Sequence, residues 1–445
     1  MYYLLPFTFK RLGTKELIVN EVGDFLCLDN GTISRIVTKK ISPDEHLYKD
    51  LVANWFISEK AIPDLIDIYA TRLRTKKAFL DSFTALHIFV LTLRCNQNCI
   101  YCQALSRKWD CDSRFDISIE DLARSVELMF RSPSPHLTME FQGGEPTLVP
   151  HLLKYAIEKA EEFNATVNKQ ITYVLCTNCV NLTEEILDIC SKNNVIISTS
   201  LDGPQWLHNN NRGKENSYQN TIFGINKARE KLGRDKVSAL MTTAVTSLNY
   251  PKEIIDEYRT CGFHSIFLRA LNPYGLASIN VNWTRYYDSF ISFYKEALEY
   301  IIEINKGGEF FVEEFTALIV RKILTPFFTG FVDLQSPAGL INSVIVYNYD
   351  GYVYASDESR MLAEAGDYSF RLGSVHDKYE DIFYGRKAQE IAQIWVVEAL
   401  AGCSDCAFQS YCGADPVRNY STQGDAYGYR PASWFCKKHV AIIEH

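Results

Sequence analysis

The chain has 445 residues, 47% of them apolar and 13% aromatic, with 46 basic against 54 acidic residues and a net charge of −8. This length exceeds one ordinary domain and supports a large core, while the acidic balance argues against a nucleic-acid protein, because phosphate binding needs concentrated positive charge. No apolar run of about 18 residues occurs, so no membrane span is expected. The N-terminus, MYYLLPFTFKRLG, carries its charges after its apolar part and has no A-x-A site, so it does not read as a secretory signal. Thirteen cysteines without such a signal point to metal rather than disulfides, and the expected location is the cytoplasm.

Residues 1–80 form the first expected domain. FTFKRLG and ELIVNEVGDFLCLDN read as two or three short strands, with a turn at Gly23-Asp24. ISRIVTKK and HLYKDLVANWFIS read as small helices.

From Leu86 to Arg269 strands and helices alternate, which defines the second domain, 81–280. Strand-like runs start near His87, Leu137, Ile171, Val195, Val237 and Ser265. Amphipathic runs lie between them, among them IEDLARSVELMF after Ser118 and KEIIDEYRTCG before Phe263. Such units predict right-handed βα crossovers and a parallel sheet. The first run, LHIFVLTLR, reads as a buried parallel strand that ends in LRCNQNCIYCQ. Cys95, Cys99 and Cys102 there have the spacing C-x3-C-x2-C, which can hold three irons of a cubic 4Fe–4S cluster and leave the fourth open to a small chelating molecule. The position suits chemistry, since α/β folds place their sites at the C-terminal ends of strands. Zinc is the competing occupant, but it favours four ligands and closed sites, and no fourth Cys or His lies nearby.

Later strand ends carry further polar signals. In MEFQGGEPTL, Gly143 and Gly144 lack a Cβ and permit close approach of a ligand, Glu145 supplies a carboxylate, and Pro146 fixes the turn. ITYVLCTNC ends in Thr177-Asn178, and NVIISTSLDGP places Ser198, Ser200 and Asp202 on one face of a strand. Arg212 follows in HNNNRG, where a loop arginine on the surface is the alternative. An apolar helical stretch, Trp283 to Ile323, bridges the barrel to the C-terminus in a segment taken as 281–335.

The C-terminal domain, 336–445, contains Cys403, Cys406 and Cys412 in C-x2-C-x5-C spacing and Cys436 in SWFCKK. Four cysteines can hold a cluster or a closed structural zinc site. The remaining six, Cys27, Cys111, Cys176, Cys179, Cys190 and Cys261, are expected as packing thiols. Cys176 and Cys179 stand close to the TN pair, where either could also donate a hydrogen atom to a substrate radical.

Together these motifs resemble the radical SAM superfamily. The resemblance implies a partial (β/α)6 barrel in which S-adenosylmethionine (SAM) chelates the open iron of the cluster held by Cys95, Cys99 and Cys102. Tyr101 matches the aromatic usual before the third cysteine. Gly143, Gly144, Glu145 and Pro146 match the GGEP motif that binds the SAM amino group, and Asn178 lies in the usual polar pair. Ser198 and Ser200 correspond to contacts with ribose and carboxylate, beside Asp202, and Arg212 to the arginine that pairs with the SAM carboxylate. Many relatives have His-Asp before that arginine, where this chain has His208-Asn209.

The C-terminal group resembles the SPASM domain, whose seven cysteines serve two auxiliary clusters. Here Ala338, Ser356 and Pro416 stand at three of those positions, all assigned to one cluster. The resemblance therefore implies a single auxiliary 4Fe–4S cluster on Cys403, Cys406, Cys412 and Cys436. Residues 1–80 resemble the winged-helix-like leader-recognition element of peptide maturases, which adds the leader as an extra strand; a plain cap on the barrel is the alternative.

LPFTFKRL…LIVNEVGDFLCL and CGADPV…QGD…GYRPASWFC resemble the radical SAM maturase of the His-Xaa-Ser peptide system (HxsB-type). That implies a ribosomally made precursor peptide as substrate, an electron donor such as flavodoxin or ferredoxin, and an oxidative change, such as a side-chain crosslink, begun by a 5′-deoxyadenosyl radical. In sulfatase maturases an Asp follows the G-x4-C cysteine, and Asp357 holds that place as a candidate base, with a surface aspartate as the alternative. A sulfatase-type formylglycine maturase and a noncatalytic iron–sulfur or zinc protein are the competing readings. The GGEP and SLDGP strings argue against the last.

Overall fold

The computed structural model describes residues 2–61, 66–394 and 396–445. At the N-terminus, β1 (Phe7–Leu12), β2 (Lys15–Asn20) and β3 (Phe25–Asp29) form an antiparallel sheet in that order. Helices α1 (Thr32–Val37) and α2 (His46–Ala53) cover one face of it through Ile18, Leu28, Ile36 and Leu51. The opposite face is also buried: Leu17 and Val19 pack on Ala407, Phe408 and Tyr411 of the C-terminal cysteine segment. Tyr411 donates to the Gly23 carbonyl at 2.9 Å, and a Cβ on Gly23 (φ 84°) would meet Ser410 and Tyr411. Helix α3 (Ile66–Lys77) is tied back by Arg72, whose two arms reach both oxygens of Asp24 at 2.7 Å.

The central sheet begins with β4 (Leu86–Thr92), buried at every residue after Leu86 as a parallel strand covered on both faces requires. Helix α4 (Ile119–Phe130) follows; the Ser118 hydroxyl caps it by accepting from Asp121 N at 3.0 Å, and Glu120 and Asp121 suit the positive end of its dipole. The parallel series continues through β5 (His136–Gly143), α5 (Pro150–Val167), β6 (Gln170–Thr177), α6 (Glu184–Lys192), β7 (Ile196–Ser200), α7 (Gln205–Arg212), α8 (Ser217–Leu232) and β8 (Val237–Leu240). Phe89, Phe141, Leu175 and Ile197 stand in register and join the core formed with the outer helices. The alternate residues Glu140, Gln142, Cys176, Ser198 and Ser200 are half-buried on the concave face.

Helix α9 (Pro251–Thr260) leads to β9 (Ser265–Ile266), where the expected sixth barrel strand departs from prediction. This strand pairs with β10 (Val312–Glu313), which lies between α10 (Trp283–Lys306) and α11 (Glu314–Leu324), and among the described residues a bridge from Thr243 to Ala270 links this edge to the segment after β8. Tight turns closed by Ala244 N to Thr242 O at 2.9 Å and Arg269 N to Phe267 O at 2.8 Å break the extended backbone on both sides. A later segment completes the sheet. β11 (Val344–Tyr347) pairs in parallel with β4, and β12 (Tyr352–Tyr354) and β13 (Arg371–Ser374) extend it antiparallel to eight strands. Between them α12 (Asp357–Glu364) lies over the concave face, where Ala363 joins Val90, Val346 and Tyr354. Helices α13 (Pro416–Gln423) and α14 (Trp434–Glu444) end the chain.

Candidate active site

Cys95, Cys99 and Cys102 sit on the loop that leaves β4, at the C-terminal edge of the sheet. The loop is pinned from several sides. Arg94 reaches both oxygens of Asp116 at 2.8 and 2.6 Å. Asn98 N and Ile100 N donate to the Arg212 and Asn211 carbonyls at the end of α7, at 3.2 and 3.0 Å. The Cys102 carbonyl accepts from Leu276 N at 2.9 Å. Backbone N–H groups also point at the sulfurs: Gln97 N lies 3.4 Å from Cys95 Sγ and Ser106 N lies 3.5 Å from Cys102 Sγ. Burial pushes the Cys95 thiol up to about 12, with the Glu145 charge adding, and the Cys99 thiol up to about 11 against the opposing pull of Arg212. Three neighbouring thiols with N–H donors aimed at sulfur are a donor set suited to an iron–sulfur cluster.

Gly143 and Gly144 serve the loop itself. A Cβ on Gly143 would fall 2.1 Å from Thr92 O, and one on Gly144 would fall 2.3 Å from Arg94 O. Their lack of side chains lets the GGEP turn lie flat on the cysteine loop, where Gly144 N donates to Thr92 O at 2.7 Å and Glu145 N to Arg94 O at 2.8 Å. The Glu145 side chain, only 1% exposed, is heavily engaged within the protein. Its Oε1 accepts from Thr147 N at 3.1 Å, Thr147 Oγ1 at 2.7 Å and Thr177 Oγ1 at 2.6 Å, and its Oε2 from Asn178 N at 2.8 Å. Burial raises this carboxyl while those donors oppose the shift. Glu145 thus ties the end of β5 to the end of β6, and Pro146 opens the short helical turn that follows. Asn178 extends the tie to the cysteine loop, donating to Asn96 Oδ1 at 2.7 Å.

The third tie runs from β7. Asp202, fully buried, accepts from Arg212 Nη2 and Nε at 2.9 and 3.0 Å and from Tyr101 OH at 2.6 Å. Burial alone would raise its pKa, but the Arg212 charge outweighs that and holds the carboxyl low. The third arm of Arg212, Nη1, reaches Cys99 Sγ at 3.8 Å. Arg212 is therefore no surface arginine but a buried link between Asp202 and the cysteine loop. Ser198 and Ser200 stand half-buried on the strand that leads to Asp202. Sequence reasoning assigned no part to the chain of Asp202 N to His208 Nδ1 at 3.3 Å, His208 Nε2 to Ser217 Oγ at 3.1 Å, and Gln97 Nε2 to Ser217 Oγ at 2.6 Å. Burial holds His208 down at about 4, so the ring is neutral, with Nδ1 accepting and Nε2–H donating. Only the HNNNR string could have hinted at it.

The four C-terminal cysteines gather beside the N-terminal sheet. Cys403 feels the charges of Cys436 and Cys406, and Cys412 those of Cys436 and Cys403. Phe408 N donates to Cys406 Sγ at 3.4 Å, and burial lifts Cys412 to about 12. Four neighbouring thiols again suit a cluster. Among the described residues no three His, Cys, Asp or Glu side chains are placed to hold a single metal ion. The three positions that lack cysteines have structural work: Ala338 is fully buried, Ser356 caps α12 in a capping box, and Pro416 opens α13. Asp357 is 15% exposed and pairs with the buried Arg360 at 2.6 Å, facing the barrel rather than open solvent.

Residues 89–256 match the model of the Radical SAM superfamily, from β4 into α9. The chain therefore carries a radical SAM domain, which implies SAM and a 4Fe–4S cluster, and the cysteine loop of β4 is the part that fits them. A cysteine-type anaerobic sulfatase-maturating enzyme of Clostridium perfringens is 22% identical over 358 residues, covering 79% of this chain and 93% of that protein. The structure of native anSMEcpe with bound AdoMet superposes with a TM-score of 0.65 at 20% identity, covering 81% of this chain and 96% of that one. That of Streptococcus suis SuiB bound to precursor peptide SuiA superposes with a TM-score of 0.56 at 14% identity, covering 98% and 100%. These likenesses show that the chain shares the fold of those two structures. No described helix is long and apolar enough to cross a membrane.

Proposed function

We propose that this chain is a radical SAM maturase that oxidatively modifies a ribosomally synthesised peptide, with a side-chain crosslink as the product and the His-Xaa-Ser system as the setting. The supporting observation is the convergence of three buried ties, Glu145, Asn178 and the Asp202–Arg212 pair, on one three-cysteine loop. Cys95, Cys99 and Cys102 would hold a 4Fe–4S cluster whose open iron would bind SAM, and together these would supply radical chemistry there. The chain's own residues fix the loop, keep water from it and present the concave face to the peptide. Ser198, Ser200 and the remaining capacity of the GGEP turn hold SAM in this reading. Cys403, Cys406, Cys412 and Cys436 would hold one auxiliary 4Fe–4S cluster, which would supply a one-electron acceptor, and a flavodoxin- or ferredoxin-type donor would serve the system in the cytoplasm.

Peptide substrates are favoured by the near full-length likeness to SuiB, a protein described in complex with its precursor peptide. The leader is assigned to the N-terminal domain, where β3 is an edge strand of the three-stranded sheet. The sulfatase-type reading rests on the Clostridium perfringens relative and on Asp357 at the barrel.

The test is anaerobic coexpression with the candidate precursor peptide. Loss of two hydrogens from the peptide, absent with Cys95→Ala, is the expected result. An unchanged peptide, together with conversion of a sulfatase-derived cysteine peptide to formylglycine, would replace this reading with the second.

A further inference from the structure

The concave face holds a thiol–carboxyl pair that none of the ties around the cysteine loop uses. Glu140 stands on β5 just ahead of the GGEP turn, and Cys176 on β6 just ahead of Asn178. Register brings them together, since Glu140 lies opposite Val174 and Cys176 is the next residue on that face. Cys176 and Glu140 lie close enough for each to bias the other's ionisation, and Gln142 Nε2 donates to Glu140 Oε1. Two other charged groups face Glu140: Asp357 on α12, which repels it, and Arg269 after β9, which attracts it.

These surroundings do not suit a packing cysteine. Cys179 and Cys190, at 1% and 0% exposure, sit in the apolar core, where packing thiols belong. Cys176 instead stays half-buried among polar groups, as does Glu140, although α12 and the segment after β9 close over both. Strand residues near the C-terminal ends of such barrels face the reacting centre.

We propose that Glu140 takes the proton that the peptide loses on oxidation, with Cys176 as the neighbouring side chain on the same face that positions it. This rests on the maturase reading. Removal of two hydrogens balances as follows. One C–H bond breaks and its hydrogen atom goes to the deoxyadenosyl radical. The second hydrogen leaves as a proton to the Glu140 carboxylate and an electron to a one-electron oxidant of the iron–sulfur class. The new bond joins the two peptide atoms. Asp357 is the less suited acceptor, because its Oδ1 already receives Arg360 Nε at 3.1 Å and Nη2 at 2.6 Å. Burial raises the Glu140 carboxyl, which brings it toward the working pH where a general base is most effective.

The experiment uses the reconstituted enzyme with the precursor peptide. Glu140→Gln should lower the peptide modified per 5′-deoxyadenosine released by about 100-fold, Glu140→Asp should recover part of it, and the acid limb of the pH profile should vanish in Glu140→Gln but not in Asp357→Asn. The opposite assignment of that limb, or full coupling in Glu140→Gln, overturns the proposal. An infrared readout needs no peptide: the S–H stretch lost in Cys176→Ala should shift with pH in the wild-type enzyme and not in Glu140→Gln. A band indifferent to both overturns the proposal even if no peptide is modified. An unmodified peptide with a responsive band instead removes the maturase reading and leaves a thiol–carboxyl pair that titrates but does not act on peptide, which also rejects the proton-acceptor role.

Discussion

Asp202 receives two arms of Arg212 at 2.9 and 3.0 Å, and the third arm lies 3.8 Å from Cys99 Sγ. One guanidinium therefore couples the end of β7 to the cysteine loop. Breaking such a buried pair leaves a carboxylate without its counter-charge, so Arg212→Met is expected to destabilise the protein by about 3–5 kcal/mol. The pH dependence has a definite sign. The folded carboxyl is held below its unfolded value, so the pair's contribution is complete above the ordinary aspartate pKa of about 3.9 and is lost as pH falls through the folded pKa. Denaturant titrations at neutral pH and at pH 3 measure this: the gap between wild type and Arg212→Met should be wide at neutral pH and narrower in acid.

Gly144→Ala tests whether the GGEP turn is shaped for the loop beneath it. The new methyl would lie 2.3 Å from Arg94 O and 2.5 Å from Leu93 O, both backbone atoms that cannot swing aside. Overpacking of this kind costs about 1–3 kcal/mol, and the strain falls on the residues that lead into Cys95. Reduced iron incorporation and a weakened visible absorbance after reconstitution are expected. A fully loaded variant with native absorbance would show that the turn can lift away from the loop.

The residues that are contiguous in the chain were the legible ones. C-x3-C-x2-C, GGEP and the C-terminal cysteine spacings announce themselves because each motif is one local turn, and α4 could be bounded from Ser118 and the apolar period. The ties between motifs left no such trace. Nothing in the string shows that Thr177 and Asn178 are claimed by Glu145, or that Asn96 reaches Asn178. Nor could it show that β2 is buried on both faces, because Phe408 and Tyr411 arrive from the far end of the chain. Asp357 reads as a surface residue by type, yet Arg360 and the barrel enclose it. The sixth strand forms at Ser265–Ile266 but stays outside the main sheet, set apart by two tight turns that propensity does not reveal.

Glu145→Gln separates a structural tie from a mere charge. The carboxylate accepts four protein hydrogen bonds, and an amide must turn an NH2 group toward at least one donor. An unsatisfied buried donor costs about 1–3 kcal/mol. The loss should appear as looser packing of the β5 and β6 ends, read as faster hydrogen exchange at Asn178 N, and as SAM binding weakened by about tenfold in calorimetry, equivalent to about 1.4 kcal/mol. Unchanged exchange with weakened binding would mean that the carboxylate acts on the ligand directly rather than through the tie.

The C-terminal cysteines give the last prediction. Lys322 donates to the Cys412 carbonyl at 3.0 Å, and the same cysteine segment carries Phe408 and Tyr411 against β2. A group bound to these four thiols would therefore sit beside the N-terminal sheet and α11. Under the proposed function, Cys412→Ala should lower the iron bound after reconstitution while the spectroscopic signature of SAM at the β4 loop persists. Under the proposed oxidation, the peptide modified per SAM cleaved should then fall by at least about tenfold, a barrier change of about 1.4 kcal/mol, and Cys406→Ala should match it. Full coupling with the second cluster absent would assign that cluster to holding the N-terminal domain in place, and protease sensitivity of residues 2–61 would rise in the same variants.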